Sequence, residues 1–360
     1  MRDFPVDLVK YFAWGKSRGG IGLTGPERAV ILAYSKIWLY DELLASTLPD
    51  DPWVETALSR YFPTALRERY AAYMERHPLK REIIATHVTN SMINRVGSTF
   101  VHRVMETTGG KPHEVVRAYL LNREIFGFVT LWQQIEALDN KVDDAVQSAM
   151  LIDTARLIDR GTMWFLRSRR LGEGMAATIA HFAARVEALA TRLQQLLDDA
   201  DRARIESAVA HYTAQGVSRE LAERVVTFDT LYATLDIVEV ADSTRRPVET
   251  VAEIYFDLAA RLGLPWLRET IVALPGQAHW QMLAKGAMHD DLSALQRTIT
   301  AEVITGGGDI AAPEGLIAAW QDRNARGIER AKQLLGELRN AAPIDASMLS
   351  VALRELRNLG

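Results

Sequence analysis

Three groups of acidic side chains are spaced closely enough to suggest metal chemistry. Asp139, Asp143 and Asp144 form the first. On a helix, Asp139 and Asp143 would share a face at i, i+4, the arrangement of an acidic magnesium site in an all-helical enzyme. Lys141 intervenes and no second motif of that kind follows. A helix start is the better reading, because Asp carboxylates favour the positive end of a helix dipole. Asp236, Glu239 and Asp242 form the second group. A metal would need at least two of these acids free to converge on it. Arg245-Arg246 follows at once, so an ion-pair network between a helix end and the next linker is the simpler account. In the third group, His289-Asp290-Asp291, the residues are consecutive, and consecutive residues on a helix do not converge. That group reads as a solvated face. The first two groups carry the alternative reading of the whole chain, an autonomous all-helical magnesium-dependent enzyme.

Other chemistries find less support. Cys is absent, which excludes disulfides, zinc–thiolate and iron–sulfur sites, and a Cys nucleophile. Gly15-Lys16-Ser17 has the end of a P-loop, but the glycine that motif needs is Lys10 here. Gly19-Gly20-Ile21-Gly22 follows no strand signal and reads as a flexible linker rather than a dinucleotide turn. Arg167-Ser168-Arg169-Arg170 could meet a phosphate, yet cations at the end of a long helix also complement its dipole. Among the eight histidines, His87 and His102 lie about four turns apart on one expected helix, too far to share an ion.

The most informative polar residues are Asn90 and Asn94. At 100° per residue they share a face with Ile83, Val101 and Met105, where exposure to solvent is not expected. A buried amide is costly unless paired, and Asn is a mediocre helix former. The two amides therefore read as interhelical hydrogen bonds that fix packing register. The sharper reading is docking against another domain, with Arg95 and His102 beside them.

These side chains must be positioned by helices. Hydrophobic residues make up 48% of the 360 and charged residues 24%, with a net charge of −4. That is the mix of a globular protein with a large core and no positive field for nucleic acid. Ala and Leu dominate, the cheapest residues to fix in a helix. Thr24-Gly25-Pro26-Glu27 reads as a capping box opening a helix through Leu44. Further helices are expected from Asp51-Pro52 to Pro63 and over Lys80–Thr107, His113–Ala137, Val142–Arg170 and Ala176–Asp198. In Pro247–Leu262 the apolar residues Val248, Val251, Tyr255, Leu258 and Leu262 recur at 3-4 spacing, with Gly263 as a left-handed cap and Pro265 beyond it. Gln277–Thr305 and Pro313–Asn340 form a helical hairpin around Gly306-Gly307-Gly308-Asp309. The expected fold is all-α, a bundle of about a dozen helices in two lobes. Residues 1–22 are a linker or remnant. Residues 23–172 form one lobe around a central buried helix at 80–107, and 173–360 a second lobe ending in the hairpin. Met1–Lys16 lacks a signal-peptide core, and the longest charge-free stretch, Thr270–Ala284, is too short and polar to span a bilayer. A soluble cytoplasmic protein with no membrane partner is expected.

Four long stretches carry a family resemblance. Leu23–Asp51 (LTGPERAVILAYSKIWLYDELLASTLPDD), His77–Arg103 (HPLKREIIATHVTNSMINRVGSTFVHR), Pro247–Trp266 (PVETVAEIYFDLAARLGLPW) and His279–Thr298 (HWQMLAKGAMHDDLSALQRT) resemble the C-terminal helical region of the large bacterial NAD-dependent glutamate dehydrogenases. The resemblance implies a parent enzyme that oxidatively deaminates L-glutamate to 2-oxoglutarate and ammonia, passing hydride to NAD. In that family a catalytic module with a dinucleotide-binding fold precedes this region. It carries the glycine-rich NAD turn and the lysines and aspartate that act on glutamate. None of these maps onto the present residues, so no catalytic, cofactor-binding or metal-ligating residue is carried over. The resemblance implies a scaffold or regulatory region, inactive alone, as an excised piece or a separately encoded relic. Its partners would be the catalytic module and, through subunit assembly, further copies in a homo-oligomer. A stand-alone partner-binding helical protein is the remaining alternative.

Overall fold

A computed structural model describes residues 24–359 apart from 169, 173, 276–278, 309, 311 and 342. Every regular element among the described residues is helical. The described residues divide into two compact units, the first within 24–137 and 147–181, the second within 138–146 and 182–359.

In the first unit, α1 (Gly25–Leu44) is followed by three short helices, α2 (Thr56–Tyr61), α3 (Thr64–Arg67) and α4 (Ala71–Glu75). Then come α5 (Lys80–Val96), α6 (Phe100–Thr108), α7 (Pro112–Ile125) and α8 (Phe128–Glu136). Residues from 147 onward in α9 (Asp144–Arg167) and the start of α10 (Met175–Leu196) complete it. The capping box forms as expected at its entrance: the Thr24 N–H and hydroxyl both donate to the Glu27 carboxylate at 2.7 Å.

Two expected helices are divided. The stretch 80–107 breaks at Gly97, whose φ of +88° lies outside helical backbone, giving α5 and α6. The stretch from His113 to Ala137 breaks at Gly127, at φ +63°, giving α7 and α8. The central element also differs from expectation. Helix α7 is buried nearly all round, through Val115, Val116, Ala118, Tyr119, Leu120 and Leu121 to Ile125. By contrast, the stretch 80–107 leaves Thr86, Asn94, His102, Arg103 and Glu106 exposed. Its apolar residues are numerous but do not close the circumference. Leu39, Ile84, Met92, Phe100, Trp132 and Phe165 are buried in the same unit.

The second unit takes α10 from Phe182, then α11 (Asp199–Ala214), α12 (Arg219–Val226), α13 (Phe228–Leu231) and α14 (Ala233–Thr244). It continues through α15 (Val248–Leu262), α16 (Leu264–Ala273), α17 (His279–Thr305), α18 (Pro313–Asn340) and α19 (Ala346–Arg357). Helix α15 is its core, burying Val251, Tyr255, Leu258 and Leu262 as the spacing predicts. Each fully buried aliphatic side chain of this kind stabilises the fold by about 1.5–3 kcal/mol. Gly263 is left-handed at φ +67°. Pro265 does not end helical structure there, because it sits in the first turn of α16, where no backbone N–H is required. Trp320 of α18 is buried in the same core.

Candidate functional site

In the first unit a polar cluster lies between α2, α5 and α7. Arg123 is almost wholly buried. Its Nε and Nη2 donate to Glu124 Oε1 at 2.9 and 2.7 Å, and Arg60 of α2 approaches the same oxygen at 3.7 Å. Burial holds the His87 imidazole below the usual histidine value, with Arg123 and then Arg60 adding like-charge repulsion. In this cluster the folded state disfavours protonated His87, so its contribution to stability is full above the unfolded histidine pKa of about 6.5 and falls below it. Urea unfolding of the wild type is expected to weaken from about pH 7 to about pH 5, and more steeply than that of His87→Gln. Equal pH slopes for the two chains would remove His87 as the cause.

Deeper in this unit Asn122 is fully enclosed. Its Nδ2 donates to the carbonyls of Leu157 and Ile158 on α9, at 3.3 and 3.0 Å. The sequence reading passed over this amide. Its signal is present, since Asn122 follows three apolar positions within an apolar helix and Gly161 stands in the interior of the facing one.

The four residues singled out from sequence do not gather. Among the described residues neither the Asn90 nor the Asn94 side-chain amide has a hydrogen-bond partner, and Asn94 is exposed rather than enclosed. The helix breaks at Gly97, so α6 does not extend the face these two amides share with Ile83. Arg95 turns to α8 instead. Its guanidinium pairs with Glu136 at 2.5 Å and lies 4.8 Å from the Trp132 ring centroid. His102 stacks on Trp38 of α1, with centroids 4.2 Å apart.

The acidic groups resolve individually. Asp139 lies in a turn, not on a helix with Asp143, so the i, i+4 relation does not arise. Asp143 accepts the Ala145 N–H at 2.8 Å at the start of α9, the helix-start role. Asp291 pairs with Arg357 at 3.1 Å. Among the described residues no three His, Asp or Glu side chains cluster to hold a metal ion, and no helix is long and apolar enough to cross a membrane.

Asp236 is the most informative acid. It is 1% exposed, and its partner is Arg297 of α17, Nη1 to Oδ1 at 2.7 Å, rather than the Arg245-Arg246 pair. Arg246 instead donates to the carbonyls of Gly308 and Ile310, both at 3.3 Å. The Tyr255 hydroxyl donates to Asp236 Oδ2 at 3.3 Å. Burial, reinforced by that carboxylate, pushes the Tyr255 phenol well above its ordinary value. Gln296 continues the line, its Nε2 donating to the Tyr255 carbonyl at 3.1 Å and its Oε1 accepting from Arg268 at 3.1 Å. The result is a buried polar seam across α14, α15, α16 and α17.

A glycine pattern runs into the entrance of α1. Counting Gly25, residues Gly20, Gly22 and Gly25 fall at Gly-x-Gly-x-x-Gly spacing. Residues 1–23, including the glycines of the linker reading and Gly15-Lys16-Ser17, lie outside the described residues. A pyrophosphate needs free N–H groups at the helix start. Here Pro26 has no N–H, and the Glu27 carboxylate already occupies the positive end by accepting from Thr24.

Comparison with known proteins fits this picture. The family model described as "Glutamate dehydrogenase, C-terminal" matches residues 20–358. The NAD-specific glutamate dehydrogenase of Pseudomonas aeruginosa is 37% identical over 340 residues, covering 94% of this chain and 21% of that protein. Its namesake from Mycobacterium tuberculosis is 37% identical over 344 residues, 96% of this chain and 21% of the relative. That from Halomonas elongata is 36% identical over 338 residues, again 94% and 21%. The chain thus spans about a fifth of the length of the curated relatives it matches.

Proposed function

Because the chain belongs to the glutamate dehydrogenase C-terminal family, we propose that it is a non-catalytic helical scaffold of an NAD-specific glutamate dehydrogenase, packed on that enzyme's catalytic module. The observation that carries this reading is the match along nearly the whole chain to one fifth of much longer enzymes. The remaining four fifths of such a polypeptide has room for the sites of NAD and L-glutamate. The hydride chemistry belongs to the cofactor and needs a protein site to position it. The entrance of α1 is ill suited to provide one.

The first unit supplies the docking surface in this reading. Helix α1 leaves Val30, Leu32, Tyr34 and Ile37 exposed, Ile37 at 53%. Tyr61, Leu66, Tyr70 and Tyr73 of α2–α4 and their connections are exposed as well. Where such exposed apolar residues adjoin one another, they form the kind of surface that partner proteins cover. The unpartnered amides of Asn90 and Asn94 are available for hydrogen bonds to the same partner.

Two measurements test the proposal. The purified chain is expected to form no NADH from L-glutamate and NAD, and measurable turnover would overturn the non-catalytic role. A catalytic module prepared without this region is expected to capture the chain, and Tyr34→Asp with Ile37→Asp to weaken capture by roughly tenfold or more, the usual effect of losing an interface anchor. Capture unchanged by both substitutions would remove the α1 surface from the interface.

A further inference from the structure

The second unit holds a cleft of about 440 Å³, within the usual range of roughly 300–1,000 Å³ for small-molecule sites. Helices α11, α15 and α16 form most of its wall, with Leu196, Ile205, Phe256, Ala259 and Val272 giving it an apolar lining. Charged groups of both signs enter the same space. Arg268 is seated from behind: its Nη2 donates to Gln296 Oε1 at 3.1 Å, and Gln296, 2% exposed, is itself anchored on the Tyr255 carbonyl. Arg204 bridges two acids, pairing with Asp201 at 2.7 Å and with Glu269. Asp198, the N-cap of α11, is the third acid of the lining.

We propose that this cleft binds a small zwitterion, an α-amino acid with an apolar side chain. A simple anion would meet Asp198, Asp201 and Glu269, and a simple cation would meet Arg204 and Arg268. A zwitterion suits both sets at once. The carboxylate goes to the fixed Arg268 guanidinium, the ammonium to the Asp201–Glu269 pair, and the side chain to the wall of Ile205, Phe256 and Val272. Burial is the largest influence on the Asp201 carboxyl and, with Asp198 and Glu269, raises it in spite of Arg204 and Arg268, so this acid gains from a further cation. The site is built wholly from the second unit and stands whether or not the first unit docks on a catalytic module.

L-Leucine is the probe, titrated calorimetrically into the full chain up to about 10 mM, well above the millimolar affinity of a weak specific site. Binding is expected, and N-acetyl-L-leucine, which lacks the ammonium, and leucinamide, which lacks the carboxylate, are each expected to bind at least about tenfold more weakly, the cost of one charge-assisted contact. Arg268→Gln should abolish the preference for L-leucine over leucinamide. Ala208→Phe, which fills the cleft from α11, should abolish binding while the far-UV dichroism stays that of the wild type. No binding of L-leucine, equal binding of the three compounds, or unchanged binding by a folded Ala208→Phe chain would each overturn the proposal.

Discussion

Gly161→Ala is expected to destabilise the first unit by about 3 kcal/mol, although alanine is the better helix former. An added Cβ at Gly161 would lie 2.4 Å from both Asn122 Nδ2 and Oδ1, a distance real side chains do not tolerate. Asn122 cannot step aside without giving up the Leu157 and Ile158 carbonyls in a site closed to water. Overpacking of this kind costs about 1–3 kcal/mol, and stranding a buried amide costs a similar amount. The gain in helix propensity, about 1 kcal/mol, offsets part of that. The check is a urea titration of four chains: wild type, Gly161→Ala, Asn122→Ala and the double variant. The double variant should be markedly more stable than the sum of the single losses, because the smaller side chain removes the collision. A Gly161→Ala chain as stable as the wild type would refute the contact.

Arg297→Met should produce a comparable loss in the second unit. The substitution keeps an unbranched apolar stem and deletes the guanidinium facing Asp236. Breaking a buried ion pair from one side costs about 3–5 kcal/mol, because a charge is left in a medium that solvates it poorly. Arg297 is itself only half-buried, with its side chain 36% exposed, so the lower end of that range, about 3 kcal/mol, is expected. Asp236→Asn combined with Arg297→Met should recover much of the loss, since the amide carries no charge and can still meet the Tyr255 hydroxyl. If Arg297→Met shifts the unfolding midpoint no more than an ordinary surface substitution, the Asp236 pair contributes nothing to the fold.

Local features were legible wherever the chemistry is local. The Thr24–Glu27 box, the apolar spacing of α15 and the left-handed Gly263 each follow from a few neighbouring residues, and the structure realises all three. The breaks at Gly97 and Gly127 were less visible, because apolar residues continue on both sides and only the positive φ separates the helices. Asn90 and Asn94 drew notice through a wheel that assumed one unbroken helix. With α5 ending at Val96, that face carries no continuous packing surface past Asn94. Asp236 and Arg297 stand 61 residues apart, and nothing in the spacing of the local acids points to that partner. Asn122 and Gly161 were open to sequence reading through a different question, namely why a helix interior would keep the residue that weakens it. A close approach of another element is the usual physical answer.

The Asn122–Gly161 contact also constrains the order in which these positions can change. From the present state, a side chain at 161 collides with the amide, whereas a smaller residue at 122 only leaves space and lost hydrogen bonds. Once position 122 has shrunk, position 161 is free to accept alanine and regain helix propensity. The reverse order passes through the collision. Drift at this helix crossing therefore has a direction, with the asparagine changing first and the glycine second.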